Sequence, residues 1–453
     1  MTVGSVGYLG SASTLSVFGL SSVFLYILPA LVFLVPVSLV AAELSSGWPG
    51  GVYDWVSAGI SARAGLLATW CEFAQTIFYY PALLAYVGGA IAYVIDPSLA
   101  GNGVYTAAVI IVLFWGGVLV STRGTRLVAE LSSVGTVLGT LIPAAILVVL
   151  GAVYLLRGNH PAAPMTAGHL LPAWSGLPSI VLVVNSFFTY AGVEVNAVHV
   201  DELADPGRDY PKSILVAMVL VLAVFIGPTL AIAWVIPASR ISFTTGVMQA
   251  FDSLLTHFRL GLAVPVIAFA LAAGALAGML AWLDGPSEGL LRIGREQGFL
   301  PPFFQRVNRH GIEVRILAAQ GAVVTVIALL YALIPGVSRA YWVFTGMATQ
   351  VYLIMYVLMF IAALRLRRSR QGPTGGYRAP ALGLLCVVGA VSSIAAFVIG
   401  FVPPAQFGRS SPFGYVALIA AGIVAIGIVP PLLMDRFRKP GWKPNLDSSR
   451  PSR

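Results

Sequence analysis

VLVVNSFFTYAGVEVNAVHVDELADPGRDYPK, residues Val181–Lys212, decides how the whole chain is read. It begins as an apolar run fit to span a membrane and then breaks its own pattern. Ser186, Thr189, Tyr190 and Gly192 gather just ahead of a carboxylate, Glu194, and a charged turn from Asp201-Glu202 to Arg208-Asp209-Tyr210-Pro211 closes the stretch. A helix that only anchors a protein in lipid has no use for this interruption. An ionisable residue within a spanning run is expensive to keep and by default marks function. Gly192 weakens the helix beside it, so the backbone can unwind there and offer its polar groups to a ligand. The competing reading is a kinked helix whose Glu194 pairs with a neighbour.

Composition fixes the class outside this stretch. The chain has 453 residues, 58% hydrophobic and 9% charged, with a mean hydropathy of +0.90. A soluble domain carries about 25% charged residues, so this is an all-α integral membrane protein. Windows of about 20 apolar residues mark spanning helices. They give eleven full runs, near 21–43, 65–94, 103–120, 133–156, 176–200, 212–236, 262–284, 315–334, 341–364, 379–402 and 413–434. Upstream, Thr2–Leu20 is apolar but rich in Gly and Ser, and reads as half of another helix. Residues 1–434 are expected to form a single transmembrane domain, and 435–453 a short, basic, disordered tail. No basic segment precedes the apolar N-terminus, so no cleavable signal peptide is expected. Cys71 and Cys386 fall inside apolar runs and read as space-filling.

The net charge of +9 is explained by topology. Eleven crossings send the loops alternately to two sides, and 21 of the 26 Lys and Arg then fall on one of them. The positive-inside rule makes that side cytoplasmic. It places the basic loops and the C-terminus in the cytoplasm of a multi-pass cell-membrane protein, and it removes any need for nucleic acid as a partner.

Glu72 is the second acid inside a run, with Gln75 at i+3 on the same helix face and Tyr79 and Tyr80 beyond. A polar stripe like this should face the protein interior or a watery cavity, although an acid near a helix end can also reach the interface. Glu72, Glu194 and His199 form the candidate set for proton coupling. Asp284 is read as a residue at a helix end. The cluster Phe187-Phe188-Tyr190 lies beside the interruption, where an aromatic can cover a small solute, whereas Tyr341-Trp342-Phe344 reads as an interfacial belt. HExxH, Walker, GxSxG and paired Cys/His patterns are absent, so no enzyme, metal site or cofactor is expected.

Four stretches together resemble a known family: PVSLVAAELSSGWPGGVYDWVS (Pro36–Ser57), TYAGVEVNAVHVDELADPGRDYP (Thr189–Pro211), GALAGMLAWLDGPSEGLLRIGREQGFLP (Gly274–Pro301) and GYRAPALG (Gly376–Gly383). The chain resembles the amino acid–polyamine–organocation (APC) superfamily, and within it the bacterial glutamate/γ-aminobutyrate antiporters. The resemblance implies a LeuT-like fold of two inverted five-helix repeats plus two C-terminal helices, with the first and sixth helices broken around the substrate. It places the sixth-helix break at Tyr190–Glu194, with Ala191, Gly192 and Val193 as backbone, Phe187 or Phe188 as lid and Glu194 as a polar or proton-linked partner. It also places Met1 inside the family's first helix, so that half of that helix is expected to be missing through a truncation or a late start. Gly278 stands where the antiporter pattern has an acidic residue.

The resemblance implies secondary transport of small amino acids across the cytoplasmic membrane, by exchange of the glutamate/γ-aminobutyrate kind. Proton-coupled uptake and a non-transporting amino-acid-binding protein are the alternatives. The partners expected are small amino acids and membrane lipid, and a homo-oligomer is compatible with the sequence.

Overall fold

The computed structural model describes residues 8–48, 51–195, 206–369, 377–407 and 412–443. Among them every regular element is helical. In chain order they are α1 (Ala12–Ser16), α2 (Ser21–Gly47), α3 (Val52–Gly59), α4 (Ala62–Ile95), α5 (Gly103–Ser121), α6 (Thr125–Leu156), α7 (Val181–Tyr190) and α8 (Pro206–Val235). α9 (Gly246–His257), α10 (Val264–Gln297), α11 (Val314–Leu333), α12 (Val337–Ser369), α13 (Leu382–Ile399) and α14 (Pro412–Phe437) follow. Ten of these are long and apolar enough to cross a bilayer. They account for all the expected runs but one. Among its described residues, the run near 176–200 holds one short apolar helix, α7, which stops at Tyr190.

Burial separates an inner shell from an outer one. In α4 and α12, 83% and 72% of the most apolar window lies inside the bundle, against 22–28% for α5, α6, α13 and α14. The inner pair therefore carries the polar side chains that the bundle shelters, and the outer helices present Leu, Val and Ile to lipid. Close approach is set by small residues. A Cβ on Gly139 of α6 would lie 2.3 Å from Gly274 Cα of α10, so these two helices cross backbone to backbone. α2 departs from regularity at Pro29, which cannot donate a helical hydrogen bond, and Ala30–Leu34 relax into a π-helical turn just beyond it.

Two expectations are corrected here. Asp284 does not end a helix: α10 continues through Gly285 and Pro286 to Gln297, where Gly298 closes it in the left-handed conformation at φ 72°. Pro286 lacks the amide hydrogen that would reach the Trp282 carbonyl, and the Ser287 hydroxyl lies within hydrogen-bond distance of the Leu283 and Asp284 carbonyls in the same turn. Hydropathy misplaced the end because a 34-residue helix, roughly 50 Å long, outruns the bilayer core and turns polar while still helical. Tyr341, Trp342 and Phe344 are not a belt either, being only 1–2% exposed. The Tyr8 hydroxyl donates to Tyr341 at 2.6 Å, Trp342 Nε1 donates to the Tyr415 hydroxyl at 3.0 Å, and Phe344 packs on Tyr331. Their polar atoms find partners inside the bundle, so they need no interface.

The loops that the charge count puts together do meet. Arg63 pairs with Asp435, Arg292 with Asp54 and Arg367 with Glu43, and Asn308 donates to the Thr122 carbonyl. Each link joins segments assigned to the basic face. Glu43 also accepts from the Ala379 backbone, so the acidic end of α2 ties together the exit of α12 and the entry to α13. These pairs are partly exposed and weak individually. Together they bring these segments to one end of the bundle.

Candidate functional site

The site begins where α7 stops. Ala191 leaves the helical region at φ −71°, ψ 150°, with its amide still bonded to the Phe187 and Phe188 carbonyls at 3.1 Å. Gly192 follows at φ 103°, a conformation that an L side chain resists. The Gly192 amide then donates to the Tyr356 hydroxyl at 2.9 Å, away from the helix axis. The backbone is thus turned out of helix at the middle of an apolar run, as the sequence anticipated from Gly192 and Glu194.

Glu194 is 1% exposed and is held by two phenols from α12. Tyr352 donates to Oε1 at 2.5 Å, and Tyr356 lies 2.8 and 2.7 Å from the two carboxylate oxygens. A buried carboxyl is costly unless bonded, and this one is bonded on both oxygens. Tyr356 therefore does two things: it receives the amide that the break releases and positions the carboxyl two residues later.

Aromatic rings close around this turn. Phe188 packs on Tyr79 at 5.4 Å, Tyr79 on Trp282 at 5.9 Å, Trp282 on Tyr352 at 6.1 Å and Tyr352 on Tyr356 at 4.9 Å. Tyr356 meets Phe33 at 5.0 Å, and Phe33 meets Phe187 at 5.0 Å, which returns the chain of contacts to α7. Five helices, α2, α4, α7, α10 and α12, supply this circuit. Phe33 reaches it from the π-helical turn of α2.

The expected site residues separate in an informative way. Phe188 joins the ring through Tyr79, whereas Phe187 joins it through Phe33 and also borders an apolar crevice of about 590 Å³ between α2 and α13. Of the two lid candidates, only Phe188 points along the Tyr79–Trp282 wall. The Tyr190 hydroxyl donates to the Tyr26 carbonyl at 2.9 Å, so it anchors α7 to α2. Ser186 does the same towards the Leu25 carbonyl at 3.0 Å, and Asn185 reaches the Ser11 carbonyl, just ahead of α1, at 3.4 Å. Ala191, Gly192 and Val193 form the buried turn itself. His199 lies outside the described residues.

Glu72 is half-buried on α4. Gln75, one turn on, is fully buried, and neither its amide nitrogen nor its oxygen has a hydrogen-bond partner. Glu72, Gln75 and Tyr79 share a helix face, and Tyr79 packs on Phe188 beside the break. Tyr352, Tyr356, Trp282 and Phe33 were not anticipated. The available signal was on α12, where Thr345, Thr349, Tyr352 and Tyr356 recur at helical spacing and are all buried.

Comparison with known proteins follows from this geometry. A family model described as amino acid permease matches residues 1–426. A transporter of Legionella pneumophila, itself uncharacterized, is 34% identical over 91% of this chain and 90% of its own length. The glutamate/gamma-aminobutyrate antiporter of Lactococcus lactis strain IL1403 is 30% identical over 92% of this chain and 85% of its own. Among solved structures, MhsT in complex with L-phenylalanine superposes with a TM-score of 0.59 at 15% identity, covering 88% of this chain and 96% of that one. That likeness shows a LeuT-like fold.

Proposed function

The chain belongs to the amino acid permease family of the APC superfamily, and from that premise we propose that it carries small amino acids across the cell membrane by alternating access, with the α7 break as one wall of the substrate site. The observation that carries this reading is the turn Ala191–Glu194. A non-helical backbone at membrane depth is tolerated only where protein or a cavity satisfies it, and here Tyr352 and Tyr356 satisfy it within an aromatic ring. Such a ring suits the carbon skeleton of an amino acid, while backbone amides and Glu194 suit its charged ends. Phe188 serves as the lid, and Gln75 offers two donors and an acceptor from the opposite helix.

The finer reading is exchange of one amino acid for another, of the glutamate/γ-aminobutyrate kind. It draws on the Lactococcus relative, which shares 30% identity along nearly the whole chain. The basic face would then be cytoplasmic. The experiment is uptake of labelled amino acids into proteoliposomes, preloaded with amino acid or empty. Exchange predicts uptake only when the lumen is loaded. Uptake in empty vesicles driven by a pH gradient assigns the protein to proton-coupled uptake, the second reading. Binding without flux under either condition refutes transport.

A further inference from the structure

We propose that the basic face carries a binding site for the phosphate of an anionic phospholipid, built where the end of α10 meets the segment after α14. The site is independent of the substrate pathway. Gly298 turns the chain back at the end of α10, and Arg295 then donates from Nη2 and Nε to the Gln305 carbonyl at 2.6 and 3.2 Å. The buried Gln305 side chain donates in turn to the Leu300 carbonyl at 2.6 Å and to the Trp442 carbonyl at 2.8 Å. One glutamine therefore staples the loop after α10 to the chain beyond α14. Arg438 closes the same joint, donating to the Gln297 carbonyl at 2.8 Å with its guanidinium 4.5 Å from the Phe299 ring.

The joint encloses a hollow of about 530 Å³ lined by Arg295, Arg306, Lys443 and Trp442 among others. No carboxylate lines it, and none of its three cations has an ion-pair partner among the described residues. Cations gathered without counter-charge favour an anion. The position selects its source. The hollow lies just beyond the ends of α10 and α14, two helices long and apolar enough to span a bilayer. Phe303, next to the lining residue Pro302, and Phe437, at the end of α14, are 57% and 59% exposed. Basic pockets between helix ends on this side of a membrane suit anionic headgroups. The phosphate sits against Arg306 and Lys443, and the acyl chains follow the exposed aromatics into the bilayer.

The test is native mass spectrometry of the full chain released from vesicles of phosphatidylglycerol or of phosphatidylcholine. A phosphatidylglycerol molecule retained in preference to phosphatidylcholine is expected. The double variant Arg306→Gln/Lys443→Gln removes two exposed cations and should weaken retention about 30-fold, from roughly fivefold per cation. Arg123→Gln/Arg126→Gln removes the same charge from another loop of that face and should stay within twofold of the parent. Melting curves of both variants, expected to match the parent, establish that the fold is kept. Equal loss in the two double variants, or equal retention of both lipids, overturns the site. Displacement of the lipid by inorganic phosphate bound with equal affinity assigns the hollow to a soluble anion and overturns the lipid.

Discussion

Replacing Tyr356 by Phe removes one oxygen from the centre of the account, and the structure sets the size of the effect. That oxygen accepts from the Gly192 amide and donates to the Glu194 carboxyl. A neutral hydrogen bond contributes about 0.5–1.5 kcal/mol and one to a charged group about 1.5–3, so the substitution costs about 2–4 kcal/mol of the geometry of the break. At 1.4 kcal/mol per factor of ten, exchange should fall by roughly 30- to 1000-fold. Tyr352→Phe forfeits a single bond to Glu194 and should cost less. The two phenols share one acceptor, so the double variant should lose less than the sum of the singles. The assay is initial-rate exchange in proteoliposomes at matched protein content, with melting temperature measured in parallel. Tyr356→Phe exchanging within twofold of the parent, with an unchanged melting curve, refutes the reasoning.

Three further perturbations follow from the same geometry. Gly192→Ala places a side chain at φ 103° and should cost about 1–3 kcal/mol, read as a lowered melting temperature together with lost exchange. Gln75→Leu removes a buried amide that has no protein partner, so thermal stability should hold or rise while the Michaelis constant for substrate rises several-fold. Glu313, just outside the span of α11, is raised to about 7 by burial first and then by the like charges of Asp284 and Glu288, against the opposing effect of the Ser287 hydroxyl at 2.5 Å. The folded protein holds that proton more tightly than the unfolded chain does. Stability from this group is therefore full below about pH 4.5 and declines as the pH rises to 7, by about 3 kcal/mol at most. Glu313→Gln should flatten that decline in melting scans across the pH window.

Much of this architecture was legible because lipid imposes a simple rule. Ten apolar runs became helices since the backbone has no other partner in hydrocarbon. The break was legible because Gly192 and Glu194 violate that rule locally. What hydropathy missed depends on contacts distant in sequence. Tyr352 and Tyr356 sit in YLIMYVLMF, which reads as ordinary apolar helix, and their acceptor lies more than 150 residues upstream. Trp342 looked interfacial for the same reason, because its partner Tyr415 belongs to another helix. The helical end of α10 was hidden by its own polarity, since a helix may leave the membrane without ending. Phe187 and Phe188 were indistinguishable neighbours in the sequence, and only the packing gives them different partners, Phe33 and Tyr79.

The claim that the Ala191–Glu194 turn is a wall of the substrate site is tested most directly by protection of a cysteine placed beside it. Phe188→Cys serves, because the two native cysteines, Cys71 and Cys386, are free but buried and should stay silent towards a polar thiol reagent. The account predicts that a transported amino acid slows labelling of the new cysteine, saturably, at the concentrations that saturate exchange. Labelling that proceeds at one rate whether or not the same vesicles are exchanging that amino acid would contradict it.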